Sequence, residues 1–137
     1  MTAAPAVRLV LPARPENVAV ARQTLGGLAS ALGLDSTVLT DMKMALSEAC
    51  TNVVVHAYPD GDGDMEIELH PGDESLLMVV RDAGAGIKPR PEKSEHALGL
   101  GLPLMASLAE DFEIHGSGAD GTEVRMRFRY AREGVAG

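Results

Sequence analysis

The apolar positions change period along the chain, and each change marks an element. Residues 7–11, Val-Arg-Leu-Val-Leu, alternate weakly and run into Pro12, which predicts an edge strand. From Pro15 onward Val18, Ala21, Leu25, Leu28 and Leu32 recur at helical spacing. A first helix is expected there, opened by Pro15, weakened by Gly26 and Gly27 and ended by Gly33. Asp35 or Ser36 can cap a stronger second helix running to about Ala57, with Val38, Met42, Ala45, Leu46, Ala49 and Val53 as its buried face. Tyr58, Pro59, Asp60, Gly61, Asp62 and Gly63 then form a turn cluster.

The period changes to two over residues 65–70, where Met65, Ile67 and Leu69 alternate with Glu66, Glu68 and His70. That strand is expected to show one face to water. Residues 76–81 follow after a Pro-Gly-Asp-Glu turn, the pattern of an antiparallel hairpin. Their continuously apolar run from Leu76 to Val80 predicts a central strand covered on both faces. Residues 83–101 are rich in Gly, Pro and charge, a long loop of the kind that is usually functional or disordered. A helix over residues 102–110 and strands over residues 111–115 and 122–130 close the order β-α-α-β-β-loop-α-β-β. Strands joined by short turns imply a mixed or antiparallel sheet with helices on one face.

Composition narrows the picture. At 137 residues the chain is about one domain, read as residues 7–130 with flexible ends at 1–6 and 131–137. It is 45% hydrophobic yet has no Trp, two Phe and two Tyr, so its core must be aliphatic. A net charge of -8 argues against non-specific nucleic-acid binding, which needs Lys and Arg against phosphate. No apolar run is long enough to span a bilayer, and the start of the chain lacks the features of a secretory signal. One cysteine, Cys50, has no internal disulfide partner, which fits a cytoplasmic protein.

Four constellations carry candidate chemistry. Residues 47–56 read Ser-Glu-Ala-Cys-Thr-Asn-Val-Val-Val-His, and Glu48, Asn52 and His56 form one ribbon at the edge of the apolar helix face. A carboxylate and an amide oxygen four residues apart can aim at one hard cation such as magnesium. Boundary polar residues of an ordinary amphipathic helix look the same. Next, a buried strand delivers Asp82 to an irregular segment with Gly84 and Gly86, followed by Ile87. A carboxylate there can accept a hydrogen bond from an exocyclic amine, although many strands simply end in a glycine turn. Third, Gly99-Leu100-Gly101 leads into a helix, where accessible backbone N–H groups bind phosphate. Its spacing is neither that of the P-loop nor that of the dinucleotide fold. Last, Thr122 opens the final strand behind Gly121 and could meet a base or an ordered water.

Taken together and in this order, these residues resemble the GHKL ATPase superfamily, and within it the bacterial anti-sigma-factor serine/threonine kinases. The pattern Ser-Glu-Ala-X-Thr-Asn-X-X-X-His is intact over residues 47–56. The Asp-X-Gly-X-Gly box falls on Asp82, Gly84 and Gly86, the Gly-X-Gly loop on Gly99 and Gly101, and the late Gly-Thr on Gly121 and Thr122. The resemblance spans roughly residues 7–130. It implies an α+β fold, a two-layer α/β sandwich of the histidine kinase/Hsp90-like type, with a mixed, mostly antiparallel sheet. It also implies roles: Glu48 as general base or as the group that orients the attacking hydroxyl or water, Asn52 as ligand to magnesium at the ATP phosphates, and Asp82 on adenine N6 with Thr122 nearby through water. His56, Gly84, Gly86 and Ile87 would line the nucleotide, and Gly99, Leu100 and Gly101 would cradle phosphates. Arg22, on the first helix, corresponds to an arginine that contacts the partner protein in family kinases, although a solvated helix arginine is the plainer reading.

Two departures matter. The loop between Gly86 and Gly99 is short, and Ala97 stands where some members carry an arginine near the phosphates. Lys88, Arg90 and Lys93 are the basic residues the loop offers instead. The resemblance therefore implies an ATP- and magnesium-dependent protein kinase that phosphorylates an anti-sigma-factor antagonist and so regulates a sigma factor. The alternative is a nucleotide-dependent module that sequesters the sigma factor with little catalysis; Glu48 favours the kinase, because a pure binder needs no base. A detached histidine-kinase ATPase domain is a third reading, disfavoured because no His-bearing dimerisation helix precedes the domain. Whether the chain forms a homodimer is left open.

Overall fold

A computed structural model describes residues 5–59, 61–84, 101–116 and 121–130. Strand β1 (Val7–Pro12) leads into helix α1 (Pro15–Leu32) and helix α2 (Ser36–Asn52), which continues as a π turn over Val53–Ala57. Strands β2 (Asp64–Pro71) and β3 (Ser75–Asp82), helix α3 (Gly101–Leu108) and strands β4 (Asp111–His115) and β5 (Thr122–Arg129) follow. The five strands form one sheet in the order β1-β2-β3-β5-β4. All four pairings are antiparallel, so the mixed sheet left open by the sequence resolves to a purely antiparallel one.

Local chemistry accounts for most element ends. Pro15 sits in the first turn of α1, where its missing N–H is no loss. Gly33 closes α1 in the left-handed region at φ 69°, and the next N–H, from Leu34, returns to the Ala29 carbonyl. The helix runs unbroken through Gly26 and Gly27; Gly26 faces α2, where an added Cβ would lie 3.4 Å from the Lys43 Cε and Nζ. Asp35 takes the N-cap position of α2 but makes no side-chain cap bond.

The core is aliphatic and rich in methionine. Met42, Met65, Met78, Met105 and Met126 are all fully buried, filling with flexible side chains the space that aromatics occupy elsewhere. The inner faces of β2, β3 and β5 supply Met65, Ile67, Leu69, Leu76, Met78, Val80, Val124, Met126 and Phe128. Against them pack Ala21, Leu25 and Ala29 of α1 and Met42, Ala45, Leu46, Ala49 and Cys50 of α2. Burial pushes the Cys50 thiol up to about 12, so it stays neutral and packs as a small apolar group.

The second covering of β3 is not a helix layer. Val79 points to the outer face yet is fully buried, because its cross-strand neighbours are Glu68 and Arg125. Ion pairs on this face join every seam of the sheet. Arg8 of β1 reaches Glu66 of β2, and Arg81 of β3 donates to Glu66 at 2.9 Å, to Glu68 at 2.8 Å and to Glu123 of β5. Arg127 of β5 meets Asp111 of β4 at 3.4 Å. Period two thus yields charges that are paired rather than simply wet.

Arg81 is the hub of this layer. The Arg8 hydrogen bond holds Glu66 below the usual carboxylate range, with Arg81 adding to it. At Glu68 and Glu123 burial pushes upward, and the bonds to Arg81 outweigh it, so both also titrate low. A lowered folded pKa favours the fold above the unfolded value, near 4.3 for Glu, and that gain is lost as pH falls through the folded pKa. Replacing Arg81 with Met should therefore destabilise the chain by about 1–3 kcal/mol at neutral pH. Denaturant titrations of the two proteins should show that difference at pH 7 and a progressively smaller one below pH of about 4.

Candidate functional site

The end of α2 builds one wall of a cavity. Its apolar residues Ala49 and Val53 face the sheet, and Asn52, at their edge, is carried inward to 8% exposure. The helix then widens into the π turn, which brings both His56 and Ala57 onto the same wall. Single π turns recur at functional sites because they re-aim side chains that an α-helix would send elsewhere. The Asn52 amide nitrogen is buried and has no hydrogen-bond partner among the described residues. A buried donor in that state costs free energy, which a ligand carrying an acceptor would recover. Glu48 lies one turn earlier on the same edge, half-buried and outside the cavity lining.

The sheet supplies the opposite wall. Asp82 ends β3 directly across from Thr122 at the start of β5. Strand alternation turns Val80, Asp82, Thr122 and Val124 to the helix side, where all four line the cavity. The Asp82 Oδ1 accepts the Gly84 N–H at 3.0 Å, and the Thr122 backbone N–H also donates to this carboxylate. Burial raises the Asp82 pKa, and these two N–H groups oppose the rise without cancelling it. Such a carboxyl binds its proton more tightly folded than unfolded, so its ionisation weighs against the fold as pH rises. Titrating groups perturbed by burial in a cleft concentrate at functional sites.

Glycine is required at two places in this wall. Gly84 lies so close to α2 that an added Cβ would come within 2.0 Å of the Ala57 carbonyl oxygen. Gly121, at φ 88°, would bring a Cβ within 2.0 Å of the Asp82 carbonyl oxygen. Both glycines let backbone close on backbone around Asp82.

Of the residues the sequence points to, Asn52, His56, Asp82 and Thr122 share this one cavity, and Gly84 closes against its edge. Gly101 opens α3, which packs on α2. Arg22 is exposed on α1. Gly86, Ile87, Gly99 and Leu100 lie outside the described residues, as do Lys88, Arg90, Lys93 and Ala97. The sequence did not single out the apolar lining from Ala49, Val53, Ala57, Val80 and Val124, nor the tyrosine at the end of the π turn. Periodicity marked Ala49, Val53 and Val80 as core; nothing marked any of the five as ligand-facing.

The arrangement is a slot with apolar sides, a carboxylate held by backbone at one part and an unpartnered amide at another. The chemistry of this lining suits a heteroaromatic ring bearing an amine donor, linked to a group rich in acceptors. Among the described residues no cluster of three or more His, Cys, Asp or Glu could cage a metal ion. Asn52, with Glu48 one turn away, is the oxygen-donor edge that could share a hard cation with an anionic ligand.

A family profile described as the histidine kinase-like ATPase domain matches residues 11–128. The chain belongs to this family. Its relatives include the serine-protein kinase RsbW of Bacillus pumilus, 34% identical over 94% of this chain and 88% of that protein. RsbW of Bacillus licheniformis is 35% identical over 97% of this chain and 91% of the relative. The solved structure of the RsbU and RsbW domains of Rv1364c from Mycobacterium tuberculosis superposes with a TM-score of 0.67 at 25% identity. That match covers 93% of this chain, which spans only 34% of the longer one. The mycobacterial sensor histidine kinase MprB shares the fold at a TM-score of 0.52 and 15% identity, over 92% of this chain and 99% of its own. Family membership implies that the chain binds ATP and groups it with the RsbW serine-protein kinases. No helix among the described residues is long and apolar enough to cross a membrane.

Two outcomes follow from the Asp82 wall. Gly121→Ala should cost about 2 kcal/mol or more, because the substitution meets both a left-handed backbone and a carbonyl. In a thermal melt that is a drop in Tm of roughly 5–10 °C. Nucleotide affinity should fall on the acid side as Asp82 takes up its proton, beginning above about 3.9, the ordinary Asp value. Calorimetric titrations across pH would locate that fall.

Proposed function

We propose that this chain is an ATP- and magnesium-dependent serine/threonine kinase that phosphorylates an anti-sigma-factor antagonist and thereby regulates how much sigma factor is free. One observation carries the reading: Asn52, with its buried amide nitrogen lacking a partner among the described residues, and the oriented Asp82 carboxylate line the same cavity. Support also comes from the intact motif over residues 47–56 and from relatives bearing the name serine-protein kinase.

In this reading Asp82 accepts a hydrogen bond from the exocyclic amine of adenine, while Val53, Ala57, Val80 and Val124 flank the ring. Thr122 and His56 complete that end, Gly84 lets the backbone come close, and Gly86 and Ile87 are assigned to the same nucleotide. Asn52 would hold magnesium through its amide oxygen, and Gly99, Leu100 and Gly101 are assigned to the phosphates. Bound magnesium would neutralise phosphate charge and polarise the transferred group. Glu48 takes the proton of the acceptor serine hydroxyl as its oxygen forms the new bond to phosphorus, and the bond to the departing diphosphate breaks. Arg22, exposed on α1, is assigned to the partner surface. The alternative function, sigma-factor capture with little catalysis, uses the same nucleotide site without Glu48.

Calorimetry with ATP and magnesium should show binding that Asn52→Ala weakens by at least about tenfold, the loss of a charge-assisted contact. Glu48→Ala should leave ATP affinity within about threefold but slow phosphate transfer to the antagonist by roughly 10²–10⁴-fold, the range of a general base. Absence of ATP binding, or an Asn52→Ala protein that binds normally, would sink the site. Normal transfer by Glu48→Ala would remove the base.

A further inference from the structure

Asp82 is oriented by the Thr122 N–H of the neighbouring strand and by the Gly84 N–H, whose backbone is itself held from outside the strand. The Gly84 N–H fixes the carboxylate, and Ala83 lies between the two. The Ala83 N–H donates to the Tyr58 hydroxyl at 3.0 Å, and that hydroxyl donates to the Asp64 carbonyl. Tyr58 follows the π turn directly, so one phenol ties together the cavity's helical wall, the start of β2 and the first residue beyond β3. The ring is seated as firmly as the hydroxyl. It lies against Gly63, where an added Cβ would come within 2.1 Å of it. The neighbouring Ala57 carbonyl meets Gly84 from the same side. Ala83 and Gly84 thus rest on two consecutive residues, Tyr58 and the last residue of the π turn, Ala57.

We infer that Tyr58 is a positioning residue for adenine recognition, its hydroxyl setting the Ala83 N–H and through it the Gly84 N–H that aims the Asp82 carboxylate. The inference rests on Asp82 being the acceptor for the exocyclic amine. Tyr58 does not line the cavity, so it acts through backbone and not by touching the nucleotide. Its effect must therefore appear as discrimination: a misaimed carboxylate loses more on a base with an amine than on one with a carbonyl at that position. Phenylalanine fills the same space against Gly63 and lacks both hydroxyl bonds.

The test compares ATP with inosine triphosphate, both with magnesium, by calorimetry. It uses the unmodified protein, Tyr58→Phe, Asp82→Asn and the double variant. Tyr58→Phe should narrow the preference for ATP by roughly 3- to 10-fold, the worth of one neutral hydrogen bond. It should also raise KM for ATP with kcat unchanged at saturation. Asp82→Asn should remove the preference, and adding Tyr58→Phe to it should change nothing further. Gly63→Ala, which displaces the ring while keeping the hydroxyl, should act in the same direction as Tyr58→Phe. An intact preference in both Tyr58→Phe and Gly63→Ala, with Asp82→Asn collapsing it, overturns the positioning role and leaves the adenine site standing. Equal losses for both nucleotides in Tyr58→Phe likewise reduce Tyr58 to a structural residue. An intact preference in Asp82→Asn overturns the adenine reading itself, and this inference with it.

Discussion

The packing of α2 across the inner face of the sheet is the constraint on which the rest depends. Ala45 and Ala49 are small, so the helix can settle close to Met78, Val80, Val124 and Met126, with Leu46 and Met42 filling the remaining space. Interiors packed at this density do not slide. The seating fixes the rotation of α2, and rotation decides where its boundary residues go. Asn52 is carried to the edge that overlooks Asp82 and Thr122, and the π turn continues the same wall. A different seam between helix and sheet would leave the same residues on the surface without a common cavity.

Strand alternation then divides labour within single strands. Arg81 and Asp82 are consecutive on β3 and point to opposite faces. Arg81 joins the strands through three glutamates, while Asp82 enters the cavity with a charge that burial disfavours. The same holds on β5, where Glu123 belongs to the ion-pair layer and Thr122 and Val124 to the site. Stabilising electrostatics on one face offset a costly carboxylate on the other, and neither role needs a separate element.

Most of the fold was legible because its signals are local. Helical spacing over α1 and α2, alternation over β2 and a glycine after α1 each leave a mark in a short window, and each element was found within a few residues. Asn52, His56, Asp82 and Thr122 were legible through motif order, since no single one of them is distinctive. What was not legible is tertiary. The π turn over Val53–Ala57 has no composition of its own; the continuous apolar run of β3 does not say whether a helix or a layer of paired charges covers its outer side. Tyr58 looked like one member of a turn cluster, because the partners of its hydroxyl, Asp64 and Ala83, lie on two different strands' ends. The capping role of Asp35 shows the reverse case: the sequence position is right, and the side-chain bond it usually brings is absent.

Two costs coincide in the cavity, and their coincidence bears on how the protein behaves. An unpartnered buried amide and a partly desolvated carboxylate both weigh against the fold when the slot holds no ligand. Two tight glycine contacts beside them leave little room for the backbone to relax. Under the proposed reading a nucleotide relieves both costs at once, its amine meeting the carboxylate and its phosphate oxygens accepting from the Asn52 nitrogen. The folded chain and its ligand are therefore linked: at a ligand concentration of about 100 times Kd the gain is about 2.7 kcal/mol, a sizeable share of a small domain's total stability. Under that reading the cavity is preorganised by the sheet and by α2, and its lowest free energy belongs to the occupied state.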